Sequence, residues 1–185
     1  MDRDHVERIL NSCDRHAAVG RRDYAILMLL SRLGLRACEI AALTLDDVDW
    51  RAGELTIHGK GAQIDRLPLP REVGQALVAS LRDPRRAGEC RAVFMRMFAP
   101  DGALSAKAIG SVLRDACDRA GVPRFGTHRL RHTVATELLA AGAPLTEIAP
   151  VLRHTNLSST AIYAKVDRVA LRALARPWPL AGAGT

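Results

Sequence analysis

The chain has 185 residues, 48% of them hydrophobic, enough to bury a real core in one domain, which excludes a largely disordered protein. Its 27 Lys and Arg against 20 Asp and Glu give a formal net charge of +7, which favours a polyanionic partner, nucleic acid before an anionic membrane. No apolar run reaches the roughly 18 residues of a membrane span, and the start MDRDHVERIL is too charged for a secretory signal.

A soluble, cytoplasmic protein is expected. Cys13, Cys38, Cys90 and Cys117 are spaced neither as metal ligands nor as a disulfide framework, and all four are read as small core residues. In DHVERILNSC, Val6, Ile9, Leu10 and Cys13 recur at the spacing of one helix face, with Asp4 as N-cap. RRDYAILMLLSRLGLR is apolar nearly all round from Ala25 to Leu30, which predicts a central buried helix ending near Gly34, with Tyr24 packed at its start. ACEIAALTLDDVDW reads as a short helix and an acidic turn. GELTIHGKGAQIDRLPLP reads as two short strands about a Gly-rich turn, with Leu55 and Ile57 facing inward and Lys60 at the tip.

Helices are predicted again over 72–81 and 105–120, the second capped by Ser105 and burying Ile109, Val112, Leu113 and Ala116, with the basic loop RDPRRAGECR between them. GTHRLRHTVATELLAAG predicts a helix that starts at Thr127, buries Leu130, Val134 and Leu138 and stops at Gly142. Beyond it, Pro150 should kink or restart a helix, and Asn156 to Ser159 form a polar break. Helical sequence then carries Tyr163. With no internal repeat or linker, the expected architecture is a mainly α domain with a small antiparallel β-sheet (α+β) over 1–176, and a flexible tail over 177–185.

Chemistry-bearing residues stand at several places. His128 and Arg131, three apart, share one side of a helix opposite the leucine stripe; alone, HRLRH is the text of a solvated basic face. Arg36 follows a glycine at a helix start and suits an anion, or else pairs with Glu39. Lys60 could be an idle turn lysine, and His154 and Tyr163, nine residues apart, could each be structural.

Together, LGLRACEI, HGKGAQIDRLPLP, THRLRHTVATELL and VLRHTNLSSTAIYAKVD come in an order and spacing that resembles the tyrosine recombinases, the phage integrase family, over roughly 10–174. The family's catalytic set of an arginine, a hairpin lysine, a His-x-x-Arg pair, a second histidine and a tyrosine finds matches in Arg36, Lys60, His128, Arg131, His154 and Tyr163. The resemblance implies a DNA breaking and rejoining enzyme without metal or ATP. In it Tyr163 attacks the scissile phosphate and leaves a 3′-phosphotyrosine and a free 5′-hydroxyl. Arg36 and Arg131 would grip the phosphate oxygens, His128 accept the phenol proton, Lys60 protonate the leaving oxygen and His154 hydrogen-bond the phosphate.

The expected partners are a double-stranded recombination site and, on DNA, a homotetramer of a protein that is monomeric when free. In the DNA-bound assembly a C-terminal helix carrying Val166, Val169, Leu171 and Leu174, followed by Trp178, would dock on a neighbouring protomer, whereas in the free monomer this segment is expected to be mobile or packed on its own core. Departures from the family pattern are Arg153 where a glycine usually stands, Pro150, and a hairpin tip made less basic by Ala62, Gln63 and Asp65. Only 35 residues precede Arg36, so the family's N-terminal DNA-clamping domain is expected to be absent. The alternative from another class is an inactive or truncated DNA-binding module of the same fold. A relaxing topoisomerase shares the chemistry, whereas a metal-dependent nuclease fits poorly, because the set is cationic and has no carboxylate pair for magnesium.

Overall fold

The structure, a computed structural model, describes residues 3–59, 64–82, 90–97, 99 and 102–140. Among these are α1 (Arg3–Asn11), α2 (Ala18–Arg32), α3 (Ala37–Ala42), a 3-10 turn (Leu45–Asp47), β1 (Val48–Asp49), β2 (Glu54–His58), β3 (Ile64–Pro68), α4 (Arg71–Leu81), α5 (Ala106–Ala120) and α6 (Thr127–Ala140). The α+β architecture expected from the sequence is the one observed.

Helix α2 is the axis of the fold, because α1, α3, α4, α5 and α6 all touch it. Its residues from Ala25 to Ser31 are all buried, and Ile26, Leu27, Met28, Leu29 and Leu30 contribute roughly 1.5–3 kcal/mol each by leaving water. Tyr24 packs against this core while the Arg15 guanidinium lies over its ring at 4.9 Å. The helix stops where Gly34 takes a left-handed φ of 60° and Leu35 N donates back to Leu29 O at 3.3 Å.

The sheet is antiparallel in the order β1-β2-β3, and Leu55 pairs with Leu67 while His58 pairs with Ile64. Strand β1 was not predicted, since two residues carry no readable alternation. Ser105 caps α5 by accepting from Ala108 N at 3.2 Å, and Gly121 ends it with a φ of 62°. There Arg8 of α1 donates to the Ala120 carbonyl at 2.7 Å, a cation placed at the negative end of the α5 dipole.

Three local expectations are corrected. Helix α1 starts before Asp4, which therefore lies in its first turn, where a carboxylate still meets the positive end of the helix dipole. Cys13 and Cys117 are buried core residues, and burial pushes both thiols up in pKa, with Arg119 opposing the effect at Cys13. Cys38 and Cys90, however, are exposed. Cys38 lies in the first turn of α3, and Cys90 belongs to no helix or strand, so helical spacing does not carry either of them inward.

The sequence assigned no element to 91–104, yet Val93 and Phe94 are core residues. Thr44 bridges Ala92 and Met95 bridges Ala103, each antiparallel, with Val93 N donating to Leu43 O at 2.8 Å. Arg22 of α2 fixes the same stretch by donating to the Met95 carbonyl.

The helix stop at Gly142, the kink at Pro150, the polar break, the helix carrying Tyr163 and the tail all lie outside the described residues. So do 83–89 of the basic loop and, among the departures from the family pattern, Ala62, Gln63 and Arg153.

Candidate active site

Three of the six candidate residues are described: Arg36, His128 and Arg131. Lys60, His154 and Tyr163 lie outside the described residues. The turn between α2 and α3 presents Arg36, whose backbone N–H donates to Glu39 Oε2 at 2.7 Å and whose Nη1 donates to Glu39 Oε1 at 2.7 Å. The Glu39 side chain is 3% exposed and that of Arg36 31%. Of the two readings of Arg36, the pairing with Glu39 is the one observed, and about a third of the side chain still faces solvent. A buried carboxylate that uses both oxygens on one residue fixes the direction of that guanidinium.

Helix α6 supplies the other two. The expectation that Arg131 lies with His128 on a side away from the core is corrected: His128 is exposed, but Arg131 is 5% exposed. Arg131 shares its side of α6 with fully buried Ala135 one turn on, a side that the neighbouring Leu130 and Val134 also draw inward. Its Nη1 donates to the Gly34 carbonyl at 2.6 Å. The second arginine of the set is thus bonded to backbone two residues ahead of the first, although 95 positions separate Arg36 from Arg131 in the chain. A guanidinium keeps its charge even when buried.

A further polar cluster was not singled out in the sequence. Asp47 accepts at Oδ2 from Thr44 N and Thr44 Oγ1, both at 2.8 Å, and at Oδ1 from His58 Nε2 at 2.8 Å. Burial works against the Asp47 charge, but the bonds from Thr44 and His58 outweigh it and hold the carboxyl below its ordinary range. The signal that could have found it is the position of His58 two residues before Lys60. No group of three or more His, Cys, Asp or Glu side chains placed to hold a metal occurs among the described residues, and no helix among them is long and apolar enough to cross a membrane.

A core built on α2, a hairpin followed by α4, and a His-x-x-Arg helix returning to the turn before Arg36 define a fold that the comparisons identify. The model of the phage integrase family matches residues 1–169, and the chain belongs to that family. A candidate integrase/recombinase of Sinorhizobium fredii, y4rA, is 47% identical over 182 residues, which are 97% of this chain and 44% of y4rA. A second from that organism, y4gC, is 38% identical over 97% of this chain and 95% of its own length. The tyrosine recombinase XerC of Staphylococcus aureus is 31% identical over 91% of this chain and 57% of its own length. The chain thus spans about half the length of y4rA and XerC, and nearly all of y4gC.

Among solved structures, the XerA recombinase superposes with a TM-score of 0.76 at 25% identity, over 94% of this chain and 62% of XerA. The XerH recombinase bound to its difH substrate superposes with a TM-score of 0.75 at 23% identity, over 92% of this chain and 51% of XerH, and shows the shared fold.

Proposed function

We propose that the chain is the catalytic domain, over 1–176, of a tyrosine-type site-specific recombinase. It cleaves and rejoins DNA through a 3′-phosphotyrosine at Tyr163, without metal or ATP. The observation that carries this reading is the bond from Arg131 to the Gly34 carbonyl, which gathers the second arginine of the family set to the turn before Arg36. Family membership supplies the prior for the whole set of six.

Attack of the Tyr163 oxygen forms a P–O bond as the P–O5′ bond breaks. A phenol with a pKa of about 10 is ionised to only about one part in a thousand at pH 7. His128, exposed on the first turn of α6, accepts the phenol proton, and the positive field of Arg36 and Arg131 lowers the cost of the anion. The two guanidinium groups offset the phosphate charge as it moves to the non-bridging oxygens. Lys60 gives its proton to the departing O5′, and His154 hydrogen-bonds the phosphate. The phosphotyrosine keeps the bond energy for rejoining. The partner is a double-stranded recombination site, bound by four protomers that are monomeric when free, and the protein works in the cytoplasm.

The test uses the full chain and nicked duplexes drawn from the DNA that flanks its gene, with EDTA present throughout. A covalent protein–DNA adduct that resists denaturation is expected, and Tyr163→Phe should abolish it. DNA bound with no adduct would instead establish a binding module. An adduct retained by Tyr163→Phe would overturn the nucleophile.

A further inference from the structure

Two cavities adjoin along α4, since Gln75 and Ala79, one helical turn apart, line both. The smaller, of about 210 Å³, is also lined by Arg15 from the loop between α1 and α2, and by Arg21 and Tyr24 of α2. The larger, of about 460 Å³, is walled by Trp50, Leu69 and Val78, with Arg82 beside them. Its volume falls in the range of small-molecule sites, roughly 300–1,000 Å³. Four large apolar side chains are exposed among the described residues, and two of them, Trp50 and Val78, lie on this wall.

The loop at the cationic end is fixed in place. A Cβ at Gly20 of α2 would collide with the Asp14 carbonyl, so the loop lies directly against that helix. His16 N donates to Asp14 Oδ1 at 3.0 Å, Ala17 N to Asp14 O at 3.2 Å, and Arg21 Nη1 to His16 O at 2.6 Å. The loop thereby holds the Arg15 guanidinium over the Tyr24 ring at 4.9 Å. Neither that guanidinium nor the Tyr24 hydroxyl makes a hydrogen bond or ion pair among the described residues. Arg21 uses Nε on the Ala79 carbonyl and Nη1 on His16, which leaves Nη2 to the cleft. Glu72, the carboxylate on this lining, is held by Arg32 Nε at 3.2 Å, so the cleft stays cationic.

Guanidinium and hydroxyl donors converging at one end suit a phosphate. An exposed tryptophan between apolar walls at the other end suits the flat face of a base. We infer that the double cleft along α4 is a nucleotide site, with the phosphate against Arg15, Arg21 Nη2 and the Tyr24 hydroxyl and the base against Trp50. The site stands apart from the two arginines of the candidate active site. Tyr24 comes eight residues, about 12 Å of helix rise, before the end of α2, and Gly34 and Arg36 lie beyond that end. A free nucleotide and a nucleotide within a DNA strand share this chemistry.

Isothermal titration of the full chain with deoxyadenosine monophosphate, deoxyadenosine, inorganic phosphate and a short single-stranded oligodeoxyadenylate tests the inference. The monophosphate should bind one per chain, at least about tenfold tighter than deoxyadenosine or phosphate, because each of these fills one end only. Arg15→Gln should weaken the monophosphate about 10–100-fold and erase its advantage over deoxyadenosine. Trp50→Ala should weaken it about 5–100-fold and erase its advantage over phosphate. Arg36→Lys, which keeps a cation for Glu39, should leave binding unchanged. Both Arg15 and Trp50 are exposed, so these variants should fold with the wild-type urea midpoint; if either does not, Tyr24→Phe, with an expected loss of about fivefold, takes its place.

Tighter binding of the monophosphate than of the oligonucleotide marks the ligand as a free nucleotide, and the reverse marks it as a DNA strand, provided that Trp50→Ala weakens whichever binds. No saturable binding of either overturns the inference. So does phosphate binding as tightly as the monophosphate, or a loss that appears in Arg36→Lys and not in Arg15→Gln. Because the adduct assay with Tyr163 uses none of these residues, failure here leaves the recombinase reading as it stands.

Discussion

Arg131 Nη1 donates to the carbonyl of Gly34 at 2.6 Å, joining the middle of α6 to the turn that ends α2. The bond does two things for the site. It closes a buried backbone acceptor with a charged donor, and it sets the α6 arginine beside the loop that carries Arg36.

Arg131→Met keeps the aliphatic bulk and removes the donor, which leaves the Gly34 carbonyl without this bond. Stability should fall by about 1–3 kcal/mol, the cost of an unmet buried acceptor, read as a lower urea midpoint with unchanged slope. Arg131→Lys should restore part of that stability. Adduct formation should still fall about 100-fold or more, because an ammonium cannot present the planar fork to a phosphate.

Glu39→Gln is nearly isosteric, yet it should be poorly tolerated. Both oxygens of Glu39 accept from Arg36, one from its backbone N–H and one from Nη1. An amide must turn its NH2 toward one of those donors. A loss of about 1–3 kcal/mol is expected, together with slower adduct formation, since Arg36 would lose its fixed direction. Unchanged thermal unfolding and unchanged cleavage would show that Glu39 does not orient Arg36.

Gly34→Ala places a Cβ on a residue with φ of 60°. The left-handed conformation costs an L-residue roughly 1–2 kcal/mol. Because the same residue supplies the carbonyl that Arg131 grips, the variant should lose cleavage as well as stability. Chemical denaturation and the adduct assay on one preparation measure both.

The acid limb of stability should depend on Asp47. Its folded carboxyl titrates below its ordinary value, so its contribution is full above the unfolded pKa of about 3.9 and is lost as pH falls through the depressed folded value. Asp46 beside Arg91 and Asp118 beside Arg124 are shifted in the same direction, in each case first by a hydrogen bond from the arginine. Urea midpoints should therefore fall below about pH 4. Asp47→Asn should flatten that fall and start from lower stability at pH 7.

Much of the fold was legible because its helices carry regular periods. Helix α2 was found from an unbroken apolar run, α5 from Ser105 and the stripe at Ile109, Val112, Leu113 and Ala116, and the hairpin from the alternation of Leu55 and Ile57 about a Gly-rich turn. Strand β1 and the stretch about Val93 and Phe94 were not legible, since bridges of one or two residues depend on partners distant in the chain.

The sequence by itself determined the order of the helices and the hairpin, the family, and which six residues are candidates, because residue types at fixed spacing follow local geometry and recur as motifs. Only the tertiary structure decided that Arg131 points inward, since helix periodicity gives a direction relative to Leu130 but cannot say that a carbonyl 97 residues away waits there. It also decided that Arg36 is both paired and partly exposed, and that His58 is tied to Asp47 across the corner after α3. Those are contacts between elements, and their existence depends on how the elements pack around α2.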